Sequence, residues 1–337
     1  MKDVRLTIVG FGAIGRGFAK VLCEKHAFIA KNHGVNLRVS AICEVNGCLV
    51  NERGIDIGSA LKPKNISLHK DFRDSKTIDV IKNVDADIVL ELTPGNIKTG
   101  QPGIAHMLAA LSSGKHVVTS NKAPLALNFK KLSDAAKDSG RQLKYEATVG
   151  GAMPLINLYK KTMQINEINS IYGILNGTCN YVLTKMEKEA VGMGIALAEA
   201  QELGYAETDP TYDINGTDTA AKIAILANSL MGADVSFKDI SVEGIEDVTQ
   251  SAIELARKHG HVIKLIGDAK ELSVAPLLIP FNHSLNVAGT LNAVMFDTDI
   301  AKRITVVGHG AGAQETSSSL FSDVLDIANR INNGTFI

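Results

Sequence analysis

Short apolar runs alternate with helically spaced apolar residues over the first 150 residues of the chain. Such runs are typical of strands buried in a parallel sheet, and the helical spacing predicts the segments that connect them. Strands are expected at Leu6–Val9, Leu37–Cys43, Asp87–Leu92, Lys115–Thr119 and Gln142–Glu146. Helices are expected at Ala13–Cys23, Gly103–Leu111 and Asn128–Lys137. This alternation predicts an α/β fold with a doubly wound parallel sheet, helices on both faces and right-handed crossovers.

The pattern changes after about residue 150, where longer helical stretches are grouped with short strands. Strands are expected at Ile165–Leu175, His261–Ile266, Leu272–Leu278, Leu291–Phe296 and Ile304–Val307. Helices are expected at Thr178–Glu189, Ile195–Leu203, Thr217–Met231 and, at the end of the chain, Thr316–Ile331. This grouping predicts an α+β second domain built on a mixed or antiparallel sheet. Residues 46–65 contain several Gly, Asn and charged residues and are interpreted as an extended surface loop.

Composition narrows the class of protein. A length of 337 residues suggests two domains. The net charge of -1, from 35 basic and 36 acidic residues, gives no reason to expect a nucleic-acid or membrane partner. No apolar run approaches the ~20 residues that span a bilayer. The four cysteines lack the CxxC spacing of a zinc site. We therefore expect a cytoplasmic protein with reduced thiols.

A glycine-rich motif follows the first predicted strand. Its residues are Gly10, Phe11, Gly12, Ala13, Ile14 and Gly15. In a GxGxxG motif between a strand and a helix, the first glycine permits a tight turn and the second lets the backbone approach a pyrophosphate. The helix that follows offers unpaired N–H groups to the phosphates. The motif predicts a Rossmann-type dinucleotide site, and the alternative is a plain strand-to-helix turn.

Glu44, at the end of the second predicted strand, is the candidate for binding the ribose hydroxyls of the dinucleotide. It lies farther from the glycines than the usual ~20 residues, which we attribute to a long first helix and an exit loop at Ala27–Asn36. An acidic residue here favours NAD over NADP. Arg53 or Lys62 could still bind a 2′-phosphate, and Glu44 could be a solvated strand-end carboxylate.

Two clusters of polar residues follow predicted strands. Ser120 and Lys122 come directly after the fourth strand, at the sheet edge where doubly wound proteins bind ligands. Asn176, Gly177 and Thr178 lie between a strand and a helix, so the helix N-terminus could bind a carboxylate. The alternatives remain open: Lys122 could be solvated, and Thr178 could be only a helix cap.

A third cluster spans Gly204 to Lys222 and is the most specific. It brings several carboxylates near one lysine along the chain: Glu207, Asp209, Asp213 and Asp218. Asp218 and Lys222 are spaced i, i+4 on one helix face, and the helix continues as an almost wholly apolar stretch, Ile223–Ala227. A lysine at the start of a buried helix beside a carboxylate is a candidate proton donor. The alternative is a salt bridge on a solvated helix end.

These motifs occur in order along nearly the whole chain, and together they resemble homoserine dehydrogenase. They are GFGAIGRG, LTP, SNKAP, YEATVGGAMP, ILNGTCNYVL, LGYAETDPTYDINGTDTAAKIAILA and GHGAGAQETSSS. The resemblance implies reversible NAD- or NADP-linked reduction of L-aspartate 4-semialdehyde to L-homoserine, a step in threonine, methionine and isoleucine biosynthesis. The cofactor would carry the redox step, and the protein would orient it.

The resemblance also implies roles for individual residues. Lys222 would donate the proton to the aldehyde oxygen, and Lys122 would lie near the nicotinamide and polarise or position the substrate. The substrate would be bound by Glu207, Asp218, Asp213, Asn176, Gly177 and Thr178. The cofactor would contact the glycine motif together with Glu44, Thr93, Ser120, Lys122 and Gly312. A sodium ion would be held by Glu146 and the backbone of Val149, Gly151 and Met153.

The same resemblance implies two domains with different functions and a homodimeric assembly. Residues 1–150, with the C-terminal helix at about 308–337, would form the dinucleotide-binding domain, and 151–307 the catalytic and dimerisation domain of a homodimer. The chain ends at Ile337 without an appended threonine-sensing domain, so feedback through one is not expected. Cys179 stands where the family usually has Thr. The rival interpretations are a dehydrogenase for another amino-acid aldehyde and a non-enzymatic nucleotide-sensing module.

Overall fold

The computed structural model describes residues 2–63 and 65–334. The chain forms two compact units: unit 1 comprises Met1–Thr148 with Gly312–Ile337, and unit 2 comprises Val149–Ala311. In the described part of the chain, no helix combines the length and the apolar character needed to cross a membrane.

Unit 1 is built on a sheet whose central strands are parallel. Its strands are β1 (Lys2–Val9), β2 (Val35–Glu44), β3 (Gly47–Val50), β4 (Phe72–Arg73), β5 (Ile88–Glu91), β6 (His116–Thr119) and β7 (Leu143–Lys144). Its helices between β1 and β7 are α1 (Ala13–His33), α2 (Ile57–Leu61), α3 (Thr77–Asn83), α4 (Gly103–Ser112) and α5 (Lys122–Asp138). The strand order is β4-β3-β2-β1-β5-β6-β7, so the chain extends the sheet first to one side of β1 and then to the other. The expected doubly wound sheet is confirmed.

Unit 2 has a sheet in the order β13-β12-β8-β10-β11-β9, antiparallel except for the β11–β9 pair. Its strands are β8 (Ile168–Ile174), β9 (Ser241–Val242), β10 (His261–Asp268), β11 (Ser273–Pro280), β12 (Leu291–Thr298) and β13 (Arg303–His309). Its helices are α6 (Ile156–Thr162), α7 (Gly177–Glu189), α8 (Met193–Glu202), α9 (Thr211–Ile214), α10 (Thr217–Leu226) and α11 (Gln250–Lys258). The mixed α+β architecture expected after residue 150 is confirmed.

The final helix, α12 (Ala313–Asn333), belongs to unit 1 and packs on α1. Phe18 and Phe321 stack between the two helices, with ring centroids 4.2 Å apart. A Cβ atom on Gly17 would lie 3.2 Å from Ala313, so the start of α12 lies close to the first turns of α1. The end of the chain thus supports the helix that follows the glycine motif.

Two local expectations are wrong. Residues 27–36 are not a loop, because α1 continues to His33 and buries Ile29, and Gly34 then ends it in the left-handed conformation. Residues 46–65 are not an extended surface loop, because β3 pairs antiparallel with β2 and buries Leu49. The Asp56 side chain caps α2 in the same segment by accepting a hydrogen bond from Ser59 N at 3.4 Å.

Three element boundaries also differ from the sequence prediction. Helix α5 begins at Lys122 and not near Asn128, where the backbone leaves helical geometry with a φ of -143°. Glu146 lies in a 3₁₀ turn after β7 and not in a strand. Helix α10 ends at Leu226 and continues as a π-helical turn, Ala227–Met231.

Candidate active site

The glycine motif forms a turn between the end of β1 and the start of α1. Gly10 has a φ of +94°, and a Cβ atom there would lie 2.7 Å from the carbonyl of Leu92. A Cβ atom on Gly15 would overlap the carbonyl oxygen of Gly10, which brings the helix close to the strand. Beside Gly12, in contrast, there is nothing within 4 Å of a Cβ position. Open backbone at the N-terminus of a long helix is suited to a pyrophosphate, so these residues fit a dinucleotide.

Arg16 connects this turn to the segment after α2. Its guanidinium donates to the carbonyls of Phe11 at 3.1 Å, Leu61 at 3.3 Å and Pro63 at 3.0 Å. It also lies over the Phe11 ring, 4.8 Å from the centroid. Sequence reasoning missed Arg16, although an arginine directly after the third glycine was visible in the motif.

Glu44 lies half-buried at the end of β2. Burial raises the pKa of its carboxyl group, and the positive charge of nearby Arg16 lowers it. The candidates for a 2′-phosphate, Arg53 and Lys62, are both exposed. Glu44 is the last residue of β2, and its role at the ribose stays a prediction.

Polar side chains meet where β5 and β6 end. The buried carboxylate of Glu91 accepts a hydrogen bond from the Thr93 hydroxyl, and Asn121 Nδ2 donates to Thr93 Oγ1 at 3.4 Å. His106 on α4 places Nδ1 3.4 Å from Glu91 Oε1. Lys122, the first residue of α5, follows Asn121 directly. Thr93 and Lys122 of this group, and the neighbouring Ser120, were predicted from the sequence, whereas Glu91, His106 and Asn121 were not.

The lysine–carboxylate cluster of unit 2 is centred on Lys222. Its ammonium donates to Asp218 Oδ2 at 2.6 Å and to the carbonyl of Leu175 at 2.5 Å. Lys222 is only 6% exposed, because α10 is buried along its whole length after the first turn. The pair is therefore desolvated, unlike a salt bridge on a solvated helix end.

Asn176 joins this pair to a second carboxylate. Its Nδ2 donates to Asp213 Oδ1 at 2.7 Å and to Asp218 Oδ2 at 2.9 Å. Its Oδ1 accepts from Cys179 N at 2.8 Å and so caps α7. Burial, followed by the neighbouring charge of Asp218, raises the pKa of Asp213. The Asn176 amide thus joins two carboxylates, and one of them, Asp218, also accepts from the Lys222 ammonium.

The rest of the NGTC segment is closely packed. A Cβ atom on Gly177 would lie 2.8 Å from the carbonyl oxygen of Thr290. Thr178 Oγ1 donates to the carbonyl of Tyr205 at 2.8 Å, so its hydroxyl links α7 to the Gly204–Lys222 segment. Cys179 Sγ donates to the carbonyl of Asp213 at 3.1 Å, and burial, then the charges of Asp213 and Asp218, raise the pKa of the thiol well above its usual value.

Two residues of the expected site lie on the surface. Glu207 is exposed, and its backbone carbonyl accepts a hydrogen bond from Gln201 Nε2 at 3.1 Å. Gly312 is exposed at the start of α12, with a φ of +126°.

Of the residues proposed to hold sodium, Glu146 belongs to unit 1, and Val149, Gly151 and Met153 belong to unit 2. Glu146 of unit 1 is 2% exposed, and its backbone N donates to Asp323 Oδ2 at 2.8 Å. In unit 2, Val149 and Met153 are buried, and Gly151 has a φ of +56°. Within residues 2–63 and 65–334, no cluster of three His, Cys, Asp or Glu side chains is suited to a metal ion.

The doubly wound sheet and its glycine motif, together with the buried lysine–carboxylate pair, indicate the class of protein: an NAD(P)-dependent oxidoreductase with a Rossmann-type domain. The models of two families match, "Homoserine dehydrogenase, NAD binding domain" over residues 10–146 and "Homoserine dehydrogenase" over residues 154–325. The chain belongs to the homoserine dehydrogenase family.

Relatives and solved structures agree with this assignment. A homoserine dehydrogenase of Methanocaldococcus jannaschii is 52% identical over 96% of this chain and 98% of its own length. An NAD(+)-dependent homoserine dehydrogenase of Pseudomonas canavaninivorans is 36% identical over 97% of both chains. The crystal structure of an Archaeoglobus fulgidus protein described as a homoserine dehydrogenase has a TM-score of 0.89 at 40% identity, covering 96% of this chain and 99% of that one. A hyperthermophilic archaeal homoserine dehydrogenase in complex with NADPH has a TM-score of 0.84 at 26% identity, covering 96% and 97%.

Proposed function

We propose that this protein interconverts L-homoserine and L-aspartate 4-semialdehyde, a reaction of threonine, methionine and isoleucine biosynthesis. The observation that carries the proposal is the buried Lys222–Asp218 pair, with a 2.6 Å hydrogen bond, next to Asn176 and Asp213. A substrate that bears an ammonium group suits these carboxylates. A sugar aldehyde has no ammonium and would leave them unpaired.

Lys222 is the proposed general acid and base. NAD or NADP supplies the hydride chemistry when bound. Lys222 gives a proton to the aldehyde oxygen during reduction and takes it from the alcohol during oxidation. Asp218 holds the Lys222 ammonium in position through their 2.6 Å hydrogen bond. Lys122 is proposed to lie near the nicotinamide and to polarise or position the substrate.

The substrate's two charged groups have separate partners in this proposal. The ammonium interacts with Asp213 and Asp218, with Glu207 as an additional carboxylate from the surface. The carboxylate lies at the N-terminus of α7, where Gly177 and Thr178 offer backbone N–H groups. This division explains why the NGT segment and the carboxylates occur together.

Cofactor preference and ion dependence are finer parts of the proposal. The half-buried Glu44 supports NAD, since a carboxylate at this position accepts from ribose hydroxyls and repels a 2′-phosphate. Glu44→Ser is expected to narrow the difference between the Kd of NAD⁺ and that of NADP⁺.

One carboxylate and three backbone oxygens, from Glu146, Val149, Gly151 and Met153, suit a hard cation such as sodium. Activity that is unchanged when potassium or choline replaces sodium would contradict this site.

We further propose a cytoplasmic homodimer formed through unit 2. Large apolar side chains on its sheet are exposed in the single chain, among them Leu277 (47%), Leu278 (60%) and Val307 (48%). Exposed large apolar side chains on β11 and β13 are candidates for burial against a second copy of the chain. Sedimentation measurements on the purified protein test this: a monomer at micromolar concentration would contradict it.

The decisive experiment measures reduced nicotinamide absorbance when the purified protein is mixed with L-homoserine and NAD⁺ or NADP⁺. Turnover with homoserine and none with an analogue that lacks the amino group supports the proposal. Turnover of another amino-acid alcohol in preference to homoserine would support the first rival function. Cofactor binding without any turnover would support the nucleotide-sensing alternative.

A further inference from the structure

Glu91 is a buried carboxylate at the end of β5 that the reaction described above does not use. Its side chain is fully buried, like those of the two apolar strand residues before it, Val89 and Leu90. An ionisable group in this position costs several kcal/mol unless it is well paired, and an apolar residue would serve packing better. Stability is therefore a poor explanation for the presence of this acid.

The side chain of Glu91 contacts Thr93, two residues later, and His106 on α4. Oε1 accepts from the Thr93 hydroxyl, lies 3.4 Å from Thr93 N, and lies 3.4 Å from His106 Nδ1. Oε2 is buried without a hydrogen-bond partner among the described residues. The carboxylate therefore holds Thr93 with one oxygen.

Thr93 in turn connects two parts of the sheet edge. The backbone N of Thr93 would lie 2.8 Å from a Cβ atom on Gly10, so Thr93 packs against the first glycine of the glycine motif. Its Oγ1 accepts from Asn121 Nδ2 at 3.4 Å. The Asn121 amide packs closely between two glycines. A Cβ atom on Gly95 would lie 3.0 Å from Asn121 Oδ1, and a Cβ atom on Gly103 would lie 2.8 Å from Asn121 Nδ2.

We propose that Glu91 is a positioning residue for the dinucleotide. Its carboxylate fixes the Thr93 hydroxyl and, through it, the Asn121 amide. This keeps the segment after β5 and the first turn of α5 in the shape that the nicotinamide half of the cofactor requires. The inference rests on the proposed roles of Thr93 and Lys122 at the cofactor. Glu91 acts through these neighbours and does not touch the reacting atoms.

The main test is the Kd of NAD⁺ for the full-length Glu91→Gln variant, measured by titration calorimetry beside its melting temperature. Gln preserves the size of the side chain but weakens the hydrogen bond that Glu91 accepts from the Thr93 hydroxyl, so the segment after β5 is held less firmly. We expect the Kd to rise at least about tenfold with a nearly unchanged melting temperature. Ser40→Ala is the matched control, because Ser40 is fully buried in β2 and its change should leave the Kd unchanged. An unchanged Kd for Glu91→Gln would overturn the proposal.

Thr93 variants test the path through which Glu91 acts and remain informative if Glu91→Gln does not fold. Thr93→Ser keeps the hydroxyl and should bind NAD⁺ nearly as the original protein does, whereas Thr93→Val should bind more weakly. The double variant Glu91→Gln, Thr93→Val should bind no more weakly than Thr93→Val alone, because both changes break one chain of contacts. Multiplicative effects, or tight binding by Thr93→Val, would contradict the proposal. Kd effects of the expected size in a protein that does not turn over homoserine would overturn the proposed substrate and leave this inference standing.

Discussion

Two buried lysines of unit 2 differ in their partners. Lys222 is 6% exposed and donates to the carboxylate of Asp218 at 2.6 Å. Lys264, on β10, is 2% exposed and donates to neutral oxygens: Asn180 Oδ1 at 2.8 Å, Thr184 Oγ1 at 3.2 Å and the Val287 carbonyl at 2.8 Å. Burial lowers the pKa of Lys264 to about 8.

This difference in partners shows that the burial of a lysine does not by itself indicate a catalytic role. Lys264 joins α7, β10 and the segment before β12, so its hydrogen bonds serve the fold. Lys222 donates to Asp218, which shares the Asn176 amide with Asp213, and these residues form the proposed substrate site. The carboxylate partner at hydrogen-bonding distance, and not the depth of burial, distinguishes the proposed catalytic lysine.

The largest expected effect is the loss of turnover in Lys222→Ala. Removing a general acid and base typically lowers kcat by ~10²–10⁴-fold. Steady-state oxidation of homoserine measures this, and calorimetry should give an unchanged Kd for NAD⁺. In Lys264→Met, kcat should stay within about threefold of the original value, because that lysine is not part of the proposed chemistry. Equal losses of kcat in the two variants would remove the contrast between the lysines.

The second prediction concerns stability against pH. Lys264 has a folded pKa of about 8 and an ordinary value of 10.5, so the unfolded chain binds more protons between these values. The stability of the original protein should therefore rise relative to Lys264→Met as the pH increases from 8 to 10.5, by about 3 kcal/mol in total. Below pH 8 the difference should be constant. Urea denaturation of both proteins across this range measures it, and parallel curves would show that Lys264 is not titrating.

A third, smaller effect tests the carboxylates around Lys222. The pKa of Asp213 is raised by burial and by Asp218, so its charge is lost at a higher pH than that of an ordinary aspartate. The KM for homoserine should therefore rise as the pH falls towards this pKa, since the neutral acid binds an ammonium poorly. Asp213→Asn should raise the KM for homoserine about tenfold, which is the expected loss for one charge-assisted hydrogen bond. The KM of this variant should no longer change with the titration of residue 213. A KM that is the same in both proteins would remove Asp213 from the substrate site.

The smallest effect is expected at Cys179, next to the same network. Its thiol is fully buried, and its pKa is well above the usual value, so little thiolate forms at pH 8. Iodoacetamide should label the exposed Cys23 of the folded protein and leave Cys179 unmodified, as peptide mass spectrometry can measure. Cys179→Thr should retain activity within about threefold. Rapid labelling of Cys179 would indicate that the NGT segment opens readily.

Much of the site was predictable because its signals are local in the sequence. The glycine motif between a strand and a helix, and the i, i+4 pair of Asp218 and Lys222, depend on spacings of a few residues. Glu91 and His106 were missed because a single Glu at the end of an apolar run, and a single His in an apolar helix, have no spacing that connects them. Residues 46–65 were misread because composition does not reveal that β3 pairs antiparallel with β2.

By itself, the sequence determined the alternation of strands and helices, the glycine motif after the first strand and the i, i+4 spacing of Asp218 and Lys222, because periodicity and turn geometry act over short distances. Only the tertiary structure decided that Asn176 bridges Asp213 and Asp218 from 37 and 42 residues away, and that Lys264 is buried against neutral oxygens. These outcomes depend on which strands and helices pack together. That packing sets the burial and the partners of each charged group.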